Sequence, residues 1–350
     1  MSGQRSSDPV IESQLVLRAV LRTDVGLVRS ENQDFGTCTT AAEANASVLG
    51  GRLLVVADGM GGHRGGATAS RLAAETIKQE YLASRGDDVA TVLRASLERA
   101  NGKIFAEAQA NPELRGMGTT TSAFAMRGEQ AWMAHVGDSR IYRVRNGEIE
   151  QLTQDHSLVA TMVREGLLTA EEAETHPRRN VLQRSMGVAE DVDVDLIGPI
   201  GLQEGDTFIL CSDGLHGVVR EPELRDIAEG PIEKAADEFV RRALERGAPD
   251  NVTVIVARVE TGVERDDEEP LEKTQPIEPV SLPDTDESNK ITQKVTAAPG
   301  DPGVVTAPPR RHSFLRWMFV CALLLGAAGI WFYCNNVNPF SEPPRSTSSR

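Results

Sequence analysis

The chain has 350 residues, of which 40% are hydrophobic and only 4% aromatic, so it can bury an ordinary core made mostly of aliphatic side chains. Its formal charge of −15 argues against a general nucleic-acid-binding protein, because phosphate backbones are bound by a surplus of Lys and Arg. The charge is unevenly spread, since residues 260–309 carry 12 acidic and four basic side chains. More than half of the net negative charge therefore lies in one segment.

The N-terminal residues 1–14 are polar and lack the apolar run of a secretory signal peptide. We predict that this segment is disordered and that the domain after it stays in the cytosol. Residues 15–260 carry regular apolar patterns and most of the glycines, and are predicted to form one folded domain.

The apolar patterns within this domain predict a mixed α+β fold. Short apolar runs bounded by Gly, Asp or Asn predict strands, and apolar residues at helical spacing predict helices. The predicted strands are 51–57, 119–126, 130–136, 139–145, 148–152, 192–200, 207–211 and 252–259, and the predicted helices are 67–85, 89–110, 158–165, 221–228 and 232–246. Strands without intervening helices favour antiparallel sheets, and the four strands of 119–152 are predicted to form a meander.

The C-terminal part has a different composition. Residues 261–312 are rich in Pro, Thr, Asp and Glu, and are predicted to form a disordered linker. Residues 314–334, FLRWMFVCALLLGAAGIWFYC, contain 18 uncharged residues after Arg316 and aromatic residues near both ends. This pattern predicts one transmembrane helix, followed by the polar tail 335–350. A buried core helix is the alternative, but the linker and the tail offer no core to bury it.

The charges around this segment favour one orientation. Three arginines precede the apolar run and two follow it, namely Arg310, Arg311 and Arg316 before it and Arg345 and Arg350 after it. Because cytosolic flanks carry the excess of Lys and Arg, we predict a single-pass protein of the cell membrane whose folded domain is cytoplasmic.

Five aspartates stand at or near the ends of predicted strands: Asp34, Asp58, Asp138, Asp213 and Asp250. Aspartate is unfavourable within strands, yet three of these border a strongly apolar strand. Strand ends that meet in space would gather the carboxylates, and such a cluster repels itself unless a cation holds it. Ligands that are all oxygen favour Mg²⁺ or Mn²⁺. The alternative is that each aspartate forms a turn, because Asp-Gly and Gly-Asp are common turn dipeptides.

Seven stretches in register resemble the metal-dependent protein phosphatases, also called protein phosphatase 2C, in their bacterial form. They are TDVGLVRSENQD (23–34), VVADGMGGH (55–63), GMGTTTSAF (116–124), AHVGDSRIYRVRNGEIEQLTQDHS (134–157), HPRRNVLQRSMG (176–187), FILCSDGL (208–215) and APDNVTVIVARV (248–259). The resemblance covers about residues 17–259. It implies a four-layer αββα sandwich of two antiparallel sheets flanked by helices, with 15–260 as the catalytic domain. It also implies hydrolysis of phosphoserine and phosphothreonine in proteins.

The same resemblance implies a metal centre that holds two Mn²⁺ or Mg²⁺ ions. Asp58 would bridge the two ions, and the carbonyl group of Gly59 would ligate one of them. Asp213 and Asp250 would complete the protein ligands of the other ion. Asp138 matches a position that builds, together with Asp213, a third and weaker site in bacterial relatives.

Two further residues are implied to act on the substrate. Asp34 would hold the metal-bound water that attacks phosphorus, and Arg29 would bind two phosphate oxygens with its planar guanidinium group. Met60 stands where animal relatives often carry a histidine thought to protonate the leaving group. Methionine cannot donate a proton, so the general acid is left unassigned. His63 is a weak alternative, because a glycine-rich turn can place it almost anywhere.

The expected partners are phosphorylated proteins, including membrane Ser/Thr kinases, and the bilayer itself, with a monomeric catalytic domain. Two other functions stay open at this stage. One is a catalytically silent module that only recognises phosphorylated partners. The other is a phosphatase for small molecules, or a regulator of anti-sigma factors, on the same fold.

Residues 166–179 correspond to a variable flap beside the family's active site. Asp155 or Ser157 is interpreted as the cap of the following helix rather than as part of a catalytic triad.

Overall fold

The computed structural model describes residues 14–62, 64–86 and 88–262. The strands in these ranges are β1 (Gln14–Asp24), β2 (Asp34–Cys38), β3 (Arg52–Met60), β4 (Gly118–Thr119), β5 (Thr121–Arg127), β6 (Gln130–Val136), β7 (Arg140–Arg145), β8 (Glu148–Gln151), β9 (Asp195–Gly201), β10 (Thr207–Cys211) and β11 (Val252–Gly262). The helices are α1 (Ala41–Ala46), α2 (Gly65–Ala83), α3 (Val89–Ala110), α4 (Leu158–Arg164), α5 (Ala170–Thr175), α6 (Asp213–His216), α7 (Glu221–Ala228) and α8 (Ile232–Glu245).

The strands form two antiparallel sheets. The first sheet has the order β1-β11-β10-β7-β8, and the second has the order β2-β3-β5-β6-β9 with β4 beside β3. The first and last strands of the domain pair along their full length, from Gln14 opposite Gly262 to Asp24 opposite Val252. Each of these two strands supplies the other's hydrogen bonds. For this reason β1 begins at residue 14, one residue before the predicted domain limit of 15, and β11 ends at residue 262, two residues beyond the predicted limit of 260.

The sheets stack face to face and helices cover both outer faces. In β3, Leu53 and Val55 pack in the cluster formed with α2 and α3, whereas Leu54 and Val56 pack between the sheets. On the other side α7 and α8 cover the first sheet, whose Ile209 contributes to that core cluster. Strands such as β3 and β10 have continuous apolar sequences because both of their faces are buried. The predicted four-layer αββα sandwich is confirmed.

The predicted meander is wrong at its centre. β5 and β6 pair within the second sheet, whereas β7 and β8 pair within the first. The chain therefore changes sheets between Val136 and Arg140, and the Gly137-Asp138 pair makes a crossover instead of a hairpin turn. Gly137 has φ +112°, and a Cβ atom there would lie 2.5 Å from the Cβ of Thr120. This crossover places Asp138 at the seam between the sheets.

Several short elements follow no strong sequence pattern. β2, with the sequence DFGTC, contains one aspartate and one glycine and only five residues in all.

The predicted cap of α4 is confirmed at Ser157, whose side chain accepts a hydrogen bond from the backbone N–H of Ala160 at 3.2 Å.

Within residues 14–62, 64–86 and 88–262, no helix has the length and apolar character needed to cross a bilayer. The predicted transmembrane segment 314–334 and the tail 335–350 lie outside the described residues. So do residues 1–13, His63 and the predicted linker from residue 263 onward.

Candidate active site

Asp34 and Asp58 are direct partners across two neighbouring strands. Asp34 opens β2 and faces Asp58 of β3 in the antiparallel register. Asp58 was predicted to follow the end of its strand. Instead β3 continues through it to Met60, because β4 pairs with Gly59 and Met60. Like charges that face each other across a strand pair are destabilising, and Asp34 is only 8% exposed. This arrangement needs a compensating cation or proton.

The backbone of Asp58 is fixed by two threonines. Its N–H donates to Thr120 Oγ1 at 3.1 Å, and its carbonyl oxygen accepts from the Thr120 N–H and from Thr119 Oγ1, both at 2.9 Å. Thr120 Oγ1 also shares a hydrogen bond with the hydroxyl of Ser139, which follows Asp138. Asp58 and Asp138 are therefore positioned by one connected set of hydrogen bonds.

Asp213 lies at the start of a helix rather than at the end of a strand. β10 ends at Cys211, and Asp213 is the first residue of the short helix α6. The preceding Ser212 donates from Oγ to Asp34 Oδ2 at 2.6 Å and accepts from the Thr253 N–H at 3.0 Å. Asp213 Oδ1 is buried and makes no hydrogen bond within the described part of the chain. A buried carboxylate oxygen without a partner is costly, so this atom is suited to bind a cation.

Two histidines, the buried His156 and the half-buried His216, hold the Gly137-Asp138 pair. The N–H of Gly137 donates to His156 Nδ1 at 3.0 Å, so Nε2 of that ring carries the proton and donates to Asp195 Oδ2 at 3.1 Å. His216 Nε2 donates to the carbonyl oxygen of Asp138 at 3.0 Å. Burial lowers the pKa of His216 to about 3, which keeps that ring neutral. The sequence did not predict either histidine contact, although His156 lies in a matched motif, directly after Asp155.

The carboxylates perturb one another strongly. Burial, followed by repulsion from Asp34, Asp213, Asp138 and Asp250, raises the pKa of Asp58 well above its usual range. Burial is also the largest cause that raises the pKa of Asp34 to about 7, of Asp138 to about 8 and of Asp213 to about 6. Side chains from five separate segments therefore form one electrostatic cluster, named here the carboxylate cluster.

Arg29 lies beside this cluster. Its Nη2 atom is 2.7 Å from Asp250 Oδ2, and its side chain is still 53% exposed. Arg29 also lines a solvent-open cleft of about 200 Å³, together with Ser30, Glu31, Gln33, Gly61 and Asn251. The guanidinium group can therefore reach both a carboxylate and an anion that enters the cleft.

Asn251 organises the loop that carries Arg29, and sequence analysis did not identify it. It is 3% exposed. Its Nδ2 donates to the carbonyl oxygens of Val25 at 2.8 Å and Glu31 at 3.0 Å, and its Oδ1 accepts from the Gln33 N–H at 2.8 Å. The only sequence signal was an Asp-Asn pair immediately before a strongly apolar strand.

Gly59 is held in a close backbone contact. Its N–H donates to the carbonyl oxygen of Gln33 at 3.0 Å, and a Cβ on Gly66 would lie 2.7 Å from the Gly59 carbonyl oxygen. The first turn of α2 therefore approaches the end of β3 closely, as only glycines allow. Met60 follows, with its Cε atom near Gly118.

The donor set of the cluster suits a hard divalent cation, because its side-chain donors are carboxylate oxygens. Among the described residues, however, no group of three His, Cys, Asp or Glu side chains is arranged as a ready metal-ligand set. Asp250 is paired with Arg29 and Asp34 with Ser212. The structure thus brings the predicted residues together, while their individual roles as ligands stay predictions.

Comparison with known proteins agrees with this geometry. Residues 31–253 match the family model described as protein phosphatase 2C. The chain is 38% identical over 246 residues to the serine/threonine phosphatase stp of Listeria welshimeri, an alignment that covers 69% of this chain and 95% of the relative.

A second relative is the serine/threonine protein phosphatase PstP of Mycobacterium tuberculosis, 38% identical over 246 residues. That alignment covers 70% of this chain but only 45% of PstP. A crystal structure of the PstP catalytic domain in complex with two manganese ions superposes with a TM-score of 0.61 at 35% identity, covering 70% of this chain and 99% of that domain. The chain belongs to the protein phosphatase 2C family.

Proposed function

We propose that the carboxylate cluster is the catalytic centre at which this chain hydrolyses phosphoserine and phosphothreonine in proteins. The chain is a metal-dependent serine/threonine protein phosphatase, and Mn²⁺ or Mg²⁺ is its cofactor. One observation carries the assignment of the centre. Four carboxylates surround Asp58, and the buried Asp213 Oδ1 has no partner among the described residues.

In this proposal Asp58, the Gly59 carbonyl group, Asp213 and Asp250 would hold two metal ions, with Asp58 shared between them, Gly59 serving one and Asp213 and Asp250 serving the other. Asp138 and Asp213 would hold a third, weaker ion. When bound, two divalent ions lower the pKa of a water molecule and offset the charge that builds up at phosphorus. The protein's contribution is rigidity, because the threonine contacts to Asp58 and the histidine contacts near Asp138 fix the carboxylates before any ligand arrives.

Arg29 and Asp34 act on the reacting groups. Arg29 is exposed to the cleft and can exchange one Asp250 oxygen for two phosphate oxygens, which its planar fork binds side by side. Asp34 is held by Ser212 and would orient the attacking water by a hydrogen bond. Arg29→Lys keeps the charge but loses the fork, so KM for the phosphopeptide is expected to rise about tenfold.

The test uses the purified full-length chain, a phosphothreonine peptide and Mn²⁺. Hydrolysis should require Mn²⁺ or Mg²⁺ and should stop on addition of chelator. Asp58→Asn and Asp213→Asn should each lower kcat/KM by about 100-fold or more, because a neutral amide is a poor ligand for a hard cation. Asp226→Asn, which changes an exposed carboxylate on α7, is the matched control. Full activity of either cluster variant would refute the assignment of the centre.

We also propose that residues 314–334 anchor the protein in the cell membrane with residues 14–262 in the cytoplasm, close to membrane Ser/Thr kinases. The support is the uncharged apolar run and the arginines before it. The protein should stay in the membrane fraction after alkaline carbonate extraction, and deletion of 314–334 should release it. Protease added to inside-out vesicles, but not to intact spheroplasts, should cleave residues 14–262. Release of the intact chain by carbonate would contradict the anchor.

A further inference from the structure

Three exposed aliphatic residues precede Arg29 in one loop. Among the described residues, seven large hydrophobic side chains are exposed, and three of these belong to Val25, Leu27 and Val28. Leu27 is 66% exposed and Val28 is 70% exposed. Single exposed aliphatic residues are ordinary, but Leu27 and Val28 are neighbours that directly precede Arg29, a residue that lines the cleft, and this position suits a binding surface.

The loop that carries these side chains is firmly held. The N–H of Leu27 donates to the Ala248 carbonyl oxygen at 3.0 Å, and the N–H of Gly26 donates to Asp24 Oδ1 at 2.8 Å. The carbonyl oxygen of Val25 accepts from Asn251 at 2.8 Å. The aliphatic side chains are therefore presented to solvent by an ordered backbone, which lowers the entropy cost of binding a partner.

The position of the loop specifies what can bind to it. Arg29 follows Val28 directly and lines the cleft with Glu31. A peptide whose phosphate contacts Arg29 places its neighbouring residues about 3.5 Å further along per residue, within reach of Val28 and Leu27. Glu31, which lines the same cleft as Arg29, would repel an acidic side chain that enters it. An uncharged aliphatic side chain next to the phosphorylated residue fits both features.

We propose that Leu27 and Val28 form a docking surface for an aliphatic side chain adjacent to the phosphoserine or phosphothreonine of a protein substrate. This inference rests on the proposed function, because it requires the phosphate to bind at Arg29. The surface contributes to selection among phosphoproteins rather than to the chemistry.

The test compares two phosphothreonine peptides that differ only at the two residues flanking the phosphothreonine, leucine in one and serine in the other. With the full-length chain and Mn²⁺, kcat/KM should favour the leucine peptide by about five- to tenfold through a lower KM, as expected for burial of part of one leucine. Leu27→Ser/Val28→Ser should reduce this preference below about twofold. The matched control is Val48→Ser, which also changes an exposed valine. Val48 follows Ser47, which contacts Leu82 near the C-terminal end of α2. The first turn of α2 contacts Gly59, and the 19 residues of the helix span about 28 Å, so Val48 lies far from the carboxylate cluster.

The inference is overturned by equal kcat/KM for the two peptides, by a preference that the double variant retains (equal losses on both peptides included), or by a preference that is also lost in the valine control. A concentration-dependent dimer that the double variant abolishes would assign the surface to a second copy instead, which also overturns it. Absence of hydrolysis of both peptides by the unmodified chain would contradict the proposed function itself. The two failures are therefore distinguishable.

Discussion

Replacing Asn251 by alanine removes three hydrogen bonds from the loop that carries Arg29. The lost partners are the carbonyl oxygens of Val25 and Glu31 and the N–H of Gln33. At about 1 kcal/mol for each bond, unfolding free energy should fall by about 3 kcal/mol. Water can reach parts of this loop once it loosens and replace some of these bonds, which reduces the expected loss of unfolding free energy to about 2 kcal/mol.

The same substitution should weaken substrate binding, because Arg29 loses its fixed position over the cleft. We expect KM for a phosphothreonine peptide to rise about tenfold, with a smaller effect on kcat. Urea unfolding measures the first effect, and steady-state kinetics measures the second. Hydrogen exchange should show faster exchange of the amides of residues 25–33.

Asn101→Ala is the matched control. Asn101 is 1% exposed and also makes three hydrogen bonds, to the carbonyl oxygens of Ala189 and Glu190 and from the N–H of Gly187. Its loss of unfolding free energy should be similar, while faster exchange should appear at 187–190 instead. The reasoning is refuted if Asn251→Ala costs less than about 1 kcal/mol, or if both variants raise KM equally.

Three further predictions concern the cation, pH and backbone contacts. Manganese at 100 times its dissociation constant should raise the free energy of unfolding by about 2.7 kcal/mol. A melting temperature that does not depend on manganese would contradict a metal site at the carboxylate cluster. Without metal, the folded state binds protons more tightly than the unfolded chain, because the pKa of Asp34 is raised to about 7 and that of Asp138 to about 8. The urea midpoint should therefore fall as the pH rises from about 4 to 8, and a rise would refute this. Gly66→Ala should cost about 1–3 kcal/mol, because its Cβ would lie 2.7 Å from the Gly59 carbonyl oxygen, whereas Gly102→Ala in open space on α3 should be neutral or stabilising in the same urea assay.

The elements with two buried faces or a long amphipathic pattern could be predicted from sequence. The predicted helix 89–110 matches α3, which Asp88 caps by accepting a hydrogen bond from the Thr91 N–H at 3.0 Å. β10 was predicted with its observed limits, since its side chains are buried on both faces. β2 was missed because five residues that include Asp34 and Gly36 carry too little pattern.

The clustering of the five aspartates could be predicted from the sequence, whereas its geometry could not, and the role of each residue stays a prediction. Local sequence does not say which sheet a strand joins, so the crossover at Asp138 was taken for a turn of a meander. The paired strand through Asp58 and the helix that begins at Asp213 depend on long-range pairing that one segment does not encode. Ser212 and Asn251 were not identified, although both lie within matched motifs, because short polar residues are typical of ordinary loops and their partners come from distant segments.

The pairing of β1 with β11 has a practical consequence for handling this protein. Gln14 and Gly262 are neighbours at one end of the first sheet, whereas Asp24 and Val252 are neighbours at the end that leads to Asp250. Eleven residues of strand span about 35 Å between these two ends. An affinity tag, a fluorophore or a surface linker joined at either limit of the domain therefore attaches on the side remote from the cleft, which leaves the entrance open to a protein-sized substrate.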